Sequence, residues 1–226
     1  HSKRFLIVDD FENFRRSMKG MMLSFGVEKV DTVRNGKEAV KASAEIEYDV
    51  ILCDYNLGLG KNGQQVLEEL RHQKRLKHTD VFVIVTAESS KEMVMAAVEN
   101  QPDGYLAKPF TQAVLKQRLD HIIEQKEALL AINRALDQED YPSAIRYCAL
   151  EIRKKSKYRT WCIQTIANLY YLKGDFDLVS ESTNVYQLMD IFDGLGSEGK
   201  AMVSFGLGGG CDGGVWNRVD DLTDQL

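Results

Sequence analysis

The sequence predicts an α/β fold, a five-stranded parallel sheet wound on both faces by helices, followed by an all-α helical-repeat region. Three observations carry this prediction. Apolar strand-like runs alternate with helical patterns through the first half of the chain, two of these runs end in carboxylates, and the second half is helical and repeats part of its own pattern. Continuous apolar runs of this kind are typical of a parallel sheet covered on both faces.

The five predicted strands are short apolar runs, and a helical pattern follows each of them. The strands are expected at residues 4–10, 27–33, 49–54, 81–87 and 103–110, where the last range includes a loop. The helices are expected up to about residue 24, at 35–46, 64–75 and 90–99, and from residue 111 onward. Because ligands of open sheets bind outside the carboxyl ends of the strands, the residues that end each run are the candidate functional residues.

Residues 111–140 contain neither Gly nor Pro and keep near-helical apolar spacing. This segment predicts one helix, or two nearly continuous ones, running out of the α/β domain. About 27 helical residues would extend roughly 40 Å at 1.5 Å per residue. We therefore expect a stiff connection rather than a flexible linker.

The second half of the chain carries a weak internal repeat. "EDYPSAI" at 139–145 and "GDFDLVS" at 174–180 align aromatic on aromatic at a spacing of 35 residues, which predicts paired helices that stack. The glycine-rich, acidic last forty residues differ from both parts. The predicted domains are therefore 4–122 (α/β), 123–186 (helical) and 187–226 (a poorly ordered tail).

The charge and the cysteines limit the class of protein. There are 29 basic and 34 acidic residues, and the whole net charge of −5 lies in residues 187–226. The lack of a basic excess argues against nucleic acid as the main partner. The four cysteines are scattered without a CxxC pair, which favours a reducing compartment. No signal peptide and no membrane-spanning apolar run is found, so we expect a cytoplasmic protein without a membrane partner.

Carboxylates end the first and third strands, at Asp9, Asp10 and Asp54. These strand ends lie at one edge of a parallel sheet, and convergent oxygen ligands without thiol or imidazole suit Mg²⁺. The fourth strand ends at Thr86 and the fifth reaches Lys108, which add a hydroxyl and a cation. Together these groups predict a phosphoryl site in which Asp54 is the nucleophile, kept ionised by the cations. Any single acid of the set could instead cap a helix.

The first half resembles the receiver domain of bacterial response regulators, which has a flavodoxin-like fold. The resemblance covers residues 4–122 and rests on Asp9-Asp10, Asp54, Thr86-Ala87 and Lys108-Pro109. It implies phosphoryl transfer to Asp54 from a histidine kinase or phosphotransfer protein, and no enzymatic activity beyond self-phosphorylation and self-dephosphorylation. It also implies that Asp10, Asp54 and the backbone carbonyl of Asn56 hold Mg²⁺, with Asp9 acting through water.

The resemblance gives further residues a role. Thr86 and Tyr105 would be the switch pair, in which the hydroxyl moves toward the phosphate and the ring turns inward. Asn56 and Glu88 match chemotaxis-type receivers and would tune dephosphorylation, because their positions flank the path of an attacking water. One departure follows Asp54, since Gly58 stands where many receivers have proline and the loop is longer.

The second half resembles the tetratricopeptide repeat. The resemblance rests on the turns Glu139-Asp140-Tyr141 and Gly174-Asp175-Phe176. Such repeats bind peptides or helices and carry out no chemistry. The sequence therefore predicts a response regulator of a phosphorelay that binds a protein partner through its helices.

Two alternatives stay open. The basic run "RKKSKYR" at 153–159 could meet DNA phosphates, which would make the chain a DNA-binding transcriptional regulator. However, residues 161–172, where a recognition helix would lie, carry no charge, so DNA is the less favoured partner. In the second alternative the receiver is only a phosphate sink, which takes up phosphoryl groups without passing on a signal. The helices would then serve only to hold two copies of the chain together as a homodimer.

Overall fold

Five parallel strands form the sheet that the apolar runs predict. In the structure, a computed structural model that describes residues 3–87 and 102–173, the strands are β1 Arg4–Val8, β2 Lys29–Val33, β3 Val50–Asp54, β4 Val81–Thr86 and β5 Gly104–Ala107. Their order across the sheet is β2-β1-β3-β4-β5, and every pairing is parallel. The carboxyl ends of β1 and β3 therefore lie side by side where the strand order reverses, which is where ligands of such sheets bind.

Helices cover both faces of the sheet. In this part of the chain they are α1 Glu12–Ser24, α2 Gly36–Glu45, α3 Gly63–His72, α4 Gln112–Ala128 and α5 Leu130–Asp137. Because successive strand side chains point to opposite faces, the sheet has two cores. One face packs against residues of α1 and α4 such as Met18 and Leu115. The other packs against α2 and α3, through Ala39 and Leu70 among others.

Side-chain caps fix where α3 and α4 begin at the carboxyl edge of the sheet. The Asn62 side chain accepts a hydrogen bond from the backbone N–H of Gln65 at 2.9 Å, and the Gln65 side chain accepts one from the backbone N–H of Asn62 at 3.0 Å. This reciprocal pair sets the start of α3. The Thr111 hydroxyl likewise accepts from the backbone N–H of Val114 at 3.3 Å, which starts α4.

The segment predicted as one helix, or two nearly continuous ones, is the pair α4 and α5, which meet at Leu129. The chain divides into two compact units, His1–Glu139 and Asp140–Leu226, and both helices belong to the first. The predicted domain boundary after residue 122 therefore falls inside α4.

A polar cluster fastens α5 to the amino edge of the sheet. We call it the amino-edge latch, and it consists of His78, Thr79, Asp103, Lys126 and Asp137. The Asp137 carboxylate accepts from the backbone N–H of His78, from that of Thr79 at 3.3 Å, and from the Thr79 hydroxyl at 2.9 Å. The Lys126 ammonium lies 2.7 Å from Asp103 and donates to the His78 carbonyl at 2.6 Å. The expectation of a helix running out of the α/β domain is therefore corrected, because Asp137 at the end of α5 is bonded to the loop that precedes β4.

The second unit begins with two helices that pack on each other, α6 Tyr141–Arg153 and α7 Arg159–Lys173. Asp140 caps α6 by accepting the backbone N–H of Ser143 at 3.1 Å. The basic run at 153–159 forms the end of α6, the turn and the first residue of α7. A helix pair with a capped start is compatible with a helical repeat, but the tetratricopeptide-like domain stays a prediction.

Several predicted features lie outside the described residues. They are the helix at 90–99, the second repeat turn at 174–176 and the tail at 187–226. The first repeat turn is described, and Glu139 adopts the left-handed region there with φ of 57°, at the position where the repeat family has glycine. Within the ranges 3–87 and 102–173, no helix is both long and apolar enough to cross a membrane.

Candidate functional site

The carboxyl edge of the sheet brings together the residues predicted from the strand ends. Asp9 directly follows β1, Asp54 ends β3, Thr86 ends β4 and Lys108 directly follows β5. A pocket over this edge is lined by Asp10, Phe11, Phe14, Asp54, Asn56, Gly58, Thr86, Ala87 and Lys108. The pocket is therefore built from four strand ends and the loops that follow them.

Lys108 binds two carboxylates at once. Its Nζ lies 2.7 Å from Oδ2 of Asp9 and 2.8 Å from Oδ2 of Asp54. The three side chains are only 17%, 2% and 8% exposed, in the order Lys108, Asp9, Asp54. Since charges attract more strongly where water is excluded, the ammonium can hold together two acids that would otherwise repel each other.

Burial and charge act in opposite directions on these groups. Burial raises the pKa of Asp54 above its ordinary value, the hydrogen bond and charge of Lys108 lower it, the charge of Asp9 raises it again, and the net shift is upward. Burial lowers the pKa of Lys108, but its hydrogen bonds to Asp54 and Asp9 outweigh this and the net pKa is raised. The lysine is therefore firmly charged, and a second cation at the site would favour the ionised form of Asp54.

The donor set fits a hard divalent cation. Asp9, Asp10 and Asp54 each offer a carboxylate oxygen within 4.8 Å of the others. Both oxygens of Asp9 are engaged, Oδ2 by Lys108 at 2.7 Å and Oδ1 by the backbone N–H of Phe11 at 2.8 Å. Asp10 is exposed and lines the pocket. An all-oxygen set that leaves Asp10 and Asp54 nearest the pocket suits Mg²⁺, which keeps several of its waters.

The predicted switch pair lies on neighbouring strands. Thr86 is 5% exposed at the end of β4, and Tyr105 in β5 is half-buried against the core on the α2 and α3 face. Burial raises the pKa of Tyr105 and the neighbouring Tyr55 adds to this, so the phenol is neutral at physiological pH. Glu88 lies outside the described residues, and its role in dephosphorylation stays a prediction.

Three residues of the site were missed by the sequence reasoning. The ring centroid of Phe14 lies 4.0 Å from the Lys108 Nζ. Arg15 donates to the Asp9 carbonyl at 2.6 Å. Gly63 packs so closely that a Cβ there would lie 2.5 Å from the backbone oxygen of Asp54. A glycine placed just after a helix cap is a signal that could have found Gly63, whereas nothing in the local pattern marks the other two.

The comparisons with known proteins agree with this geometry. The family model of the response regulator receiver domain matches residues 5–120. The chain belongs to this family. It is 34% identical over 122 residues to the chemotaxis protein CheY-3 of Vibrio cholerae, covering 54% of this chain and 92% of that protein. It is 33% identical to CheY of Pseudomonas aeruginosa, covering 54% of this chain and 97% of that one.

A solved structure supports the fold of this receiver. The V. cholerae chemotaxis protein CheY4 superposes with a TM-score of 0.50 at 24% identity, over 54% of this chain and 99% of that one. At that identity the likeness shows the fold alone. It confirms the five-stranded parallel sheet with flanking helices for the first half of the chain.

This receiver departs from the usual pattern in the loop after Asp54. Gly58 and Gly60 adopt the left-handed region, with φ of 72° and 113°. A Cβ at Gly58 would lie 3.7 Å from Oδ2 of Asp10, so this glycine borders the acid cluster. Leu59 between them is fully exposed. The glycine that stands where many receivers have proline thus adopts the left-handed region, beside acids that are clustered.

Proposed function

We propose that this receiver accepts a phosphoryl group on Asp54 from a histidine kinase or a phosphotransfer protein, and that the modification controls the binding of a protein partner by the helices that follow. The observation that carries the proposal is the Lys108 ammonium, bonded at once to Asp54 and Asp9 beside the exposed Asp10. Membership in the receiver family supports it. No reaction beyond self-phosphorylation and self-dephosphorylation is proposed.

The transfer exchanges one phosphoryl bond for another. A carboxylate oxygen of Asp54 attacks phosphorus, the P–N bond to the donor imidazole breaks, and the leaving imidazole keeps the electron pair and takes up a proton. Asp10, Asp54 and the Asn56 carbonyl would hold Mg²⁺, which supplies positive charge for the transferring oxygens. Lys108 supplies a fixed positive charge from the protein itself.

The acyl phosphate changes what Lys108 and Thr86 can bind. Once Asp54 carries the phosphoryl group, the negative charge has moved from the carboxylate to the phosphoryl oxygens. Lys108 then turns from Asp54 to one of these oxygens while it remains on Asp9, and the Thr86 hydroxyl donates to another. The ends of β4 and β5 are thereby drawn toward the phosphoryl group, and Tyr105 responds from the same pair of strands.

Intact-mass measurement after incubation with acetyl phosphate and Mg²⁺ tests the acceptor. The wild-type chain should gain one phosphoryl group, and Asp54→Asn should gain none because the nucleophilic oxygen is lost. Asp120→Asn is the matched control, since Asp120 is an exposed acid on α4 and should leave labelling unchanged. Full labelling of Asp54→Asn would contradict the assignment. Asp10→Asn should label slowly and recover partly at higher Mg²⁺ concentration.

The coupling to the helices beyond the receiver needs a separate test. Gln125 lies inside α4, one position before Lys126 of the amino-edge latch, so an insertion there would disturb the receiver itself. Flexible glycines should instead be inserted between Glu139 and Asp140, at the boundary along the chain between the two units. We expect phosphorylation to change hydrogen exchange in residues 140–173 of the wild-type chain and not of the insertion variant. If phosphorylation leaves the hydrogen exchange of these residues unchanged in both the wild-type chain and the insertion variant, the coupling is refuted.

A further inference from the structure

We propose that Phe14 is a positioning residue for Lys108, whose ammonium it holds in the phosphoryl site through a cation–π contact. The inference rests on the proposed function, since it assigns a residue to the same site. Phe14 is neither a metal ligand nor a phosphoacceptor. It acts through Lys108 alone.

The ammonium of Lys108 contacts two carboxylates and the ring of Phe14. The group has three donors, and two of its contacts are the carboxylates of Asp9 and Asp54 at 2.7 and 2.8 Å. The Phe14 ring lies over the same nitrogen, with 4.0 Å between Nζ and the centroid. A cation at this distance is attracted by the negative face of the ring, most strongly where water is excluded. The Lys108 side chain is 17% exposed, so that condition is met.

The ring itself is held in place. Phe14 belongs to the first turns of α1, and Phe110 lies on the loop that follows Lys108. Their centroids are 6.0 Å apart and the ring planes meet at 85°, which is a favourable edge-to-face arrangement. Both rings also pack against the core on the α1 and α4 face. The core and the neighbouring loop therefore both hold the Phe14 ring in its orientation over Lys108.

A ring suits this position better than a third carboxylate would. The proposed transfer requires Lys108 to leave Asp54 and bind a phosphoryl oxygen. A further acid would compete with the phosphoryl group for the ammonium. The ring attracts the positive charge but accepts no strong hydrogen bond, so the N–H groups of Lys108 stay available to the phosphoryl oxygen. The ring thus keeps the ammonium at the site while its donors change partner.

Kinetics of phosphorylation by acetyl phosphate at fixed Mg²⁺ test this role. Phe14→Leu keeps an apolar side chain but removes the π face, and we expect phosphorylation to slow about three- to tenfold. Phe14→Tyr keeps the face and should restore most of the rate. Phe25→Leu is the matched control, because Phe25 packs against the same core, and among the described residues no cation lies over its ring. That variant should lower stability and leave the rate unchanged.

A double-variant comparison separates positioning from packing. In a Lys108→Met background the Phe14→Leu change should slow phosphorylation no further, because the cation that the ring holds is gone. Equal slowing in both backgrounds would overturn the proposal, as would an unchanged rate in Phe14→Leu or an equally slow Phe14→Tyr.

NMR of the Lys108 ε-methylene protons tests the contact without any phosphoryl transfer. A ring 4.0 Å from Nζ should shift these signals upfield in the wild-type protein, and Phe14→Leu should return them to their ordinary position. If the shift is present but the wild-type chain accepts no phosphoryl group, the contact stands and the proposed function fails. If no ring-dependent shift is seen, the inference about Phe14 is wrong whatever the labelling shows.

Discussion

The start of α3 lies directly against the backbone of Asp54, the proposed phosphoacceptor, which makes Gly63 a sharp test of the site. The Gly63 N–H donates to the Tyr55 carbonyl at 2.8 Å. A Cβ added at Gly63 would lie 2.5 Å from the Asp54 carbonyl oxygen and 3.1 Å from both the Asp54 carbonyl carbon and the Tyr55 Cα. All three are backbone atoms, so no side-chain rotation can relieve the contact. Gly63→Ala must therefore displace either α3 or the end of β3.

The size of the effect follows from two opposing contributions. Overpacking a well-filled site destabilises a protein by about 1–3 kcal/mol, and replacing a helical glycine by alanine stabilises it by up to about 1 kcal/mol. We expect Gly63→Ala to lower the free energy of unfolding by about 1–2 kcal/mol net. Gly20 lies in the middle of α1, and a Cβ there would meet nothing within 4 Å. Gly20→Ala should therefore gain about 0.5–1 kcal/mol.

Urea unfolding and acetyl phosphate labelling of both glycine variants give the two readouts. Gly63→Ala should unfold at lower urea and accept the phosphoryl group more slowly, because Asp54 moves relative to Lys108. Gly20→Ala carries the same chemical change away from the site, and it should be more stable than the wild type with unaltered labelling. If Gly63→Ala matches Gly20→Ala in both stability and labelling, the close approach of α3 to Asp54 has no functional weight.

Two further predictions concern the amino edge of the sheet. Burial raises the pKa of Asp80 from 3.8 to about 6. Because the folded protein then binds this proton more tightly than the unfolded chain does, the free energy of unfolding falls as the pH rises from about 4 to 6. Asp80→Asn keeps an acceptor for the Lys77 N–H. In urea unfolding, its free energy of unfolding should exceed that of the wild type by up to about 3 kcal/mol at pH 7 and by little at pH 4. An equal increase at the two pH values would contradict this prediction. Asp137→Ala removes the acceptor for His78 and Thr79. It should lower the free energy of unfolding by about 1–3 kcal/mol and speed amide exchange at His78 and Thr79. Unchanged exchange at these two residues would contradict this prediction.

The strand ends could be predicted because sheet geometry forces their side chains together. An apolar run that stops at a polar residue marks the place where a buried strand reaches solvent, and parallel strands end at one edge. That reasoning places Asp9, Asp54, Thr86 and Lys108 together, as the structure does. The family model and the relatives confirm the receiver, whereas the roles assigned to single residues stay predictions.

Contacts between distant segments could not be predicted in the same way. The Thr79 and Asp137 side chains are bonded across 58 residues, and neither residue departs from what an ordinary loop or helix end allows. The end of α4 at Leu129 also had no local signal, because the sequence there contains neither glycine nor proline. Leu129 is buried in the structure, and sequence periodicity alone does not mark a helix end there.

The amino-edge latch limits how the proposed phosphorylation signal could reach the residues beyond Glu139. α4 begins just after Lys108 at the carboxyl edge, and its 17 residues extend about 25 Å. Lys126, in its last turn, is bonded to Asp103 at the opposite edge. A shift of the first turn of α4 therefore acts on a helix that is fastened at its far end. Allosteric coupling typically amounts to about 1–3 kcal/mol, and a protein hydrogen bond contributes about 0.5–1.5 kcal/mol net. Each bond of the latch is thus of the same size as the proposed coupling, and the five bonds together exceed it. A shift of the first turn of α4 would therefore reach the residues beyond Glu139 only if part of the latch opens.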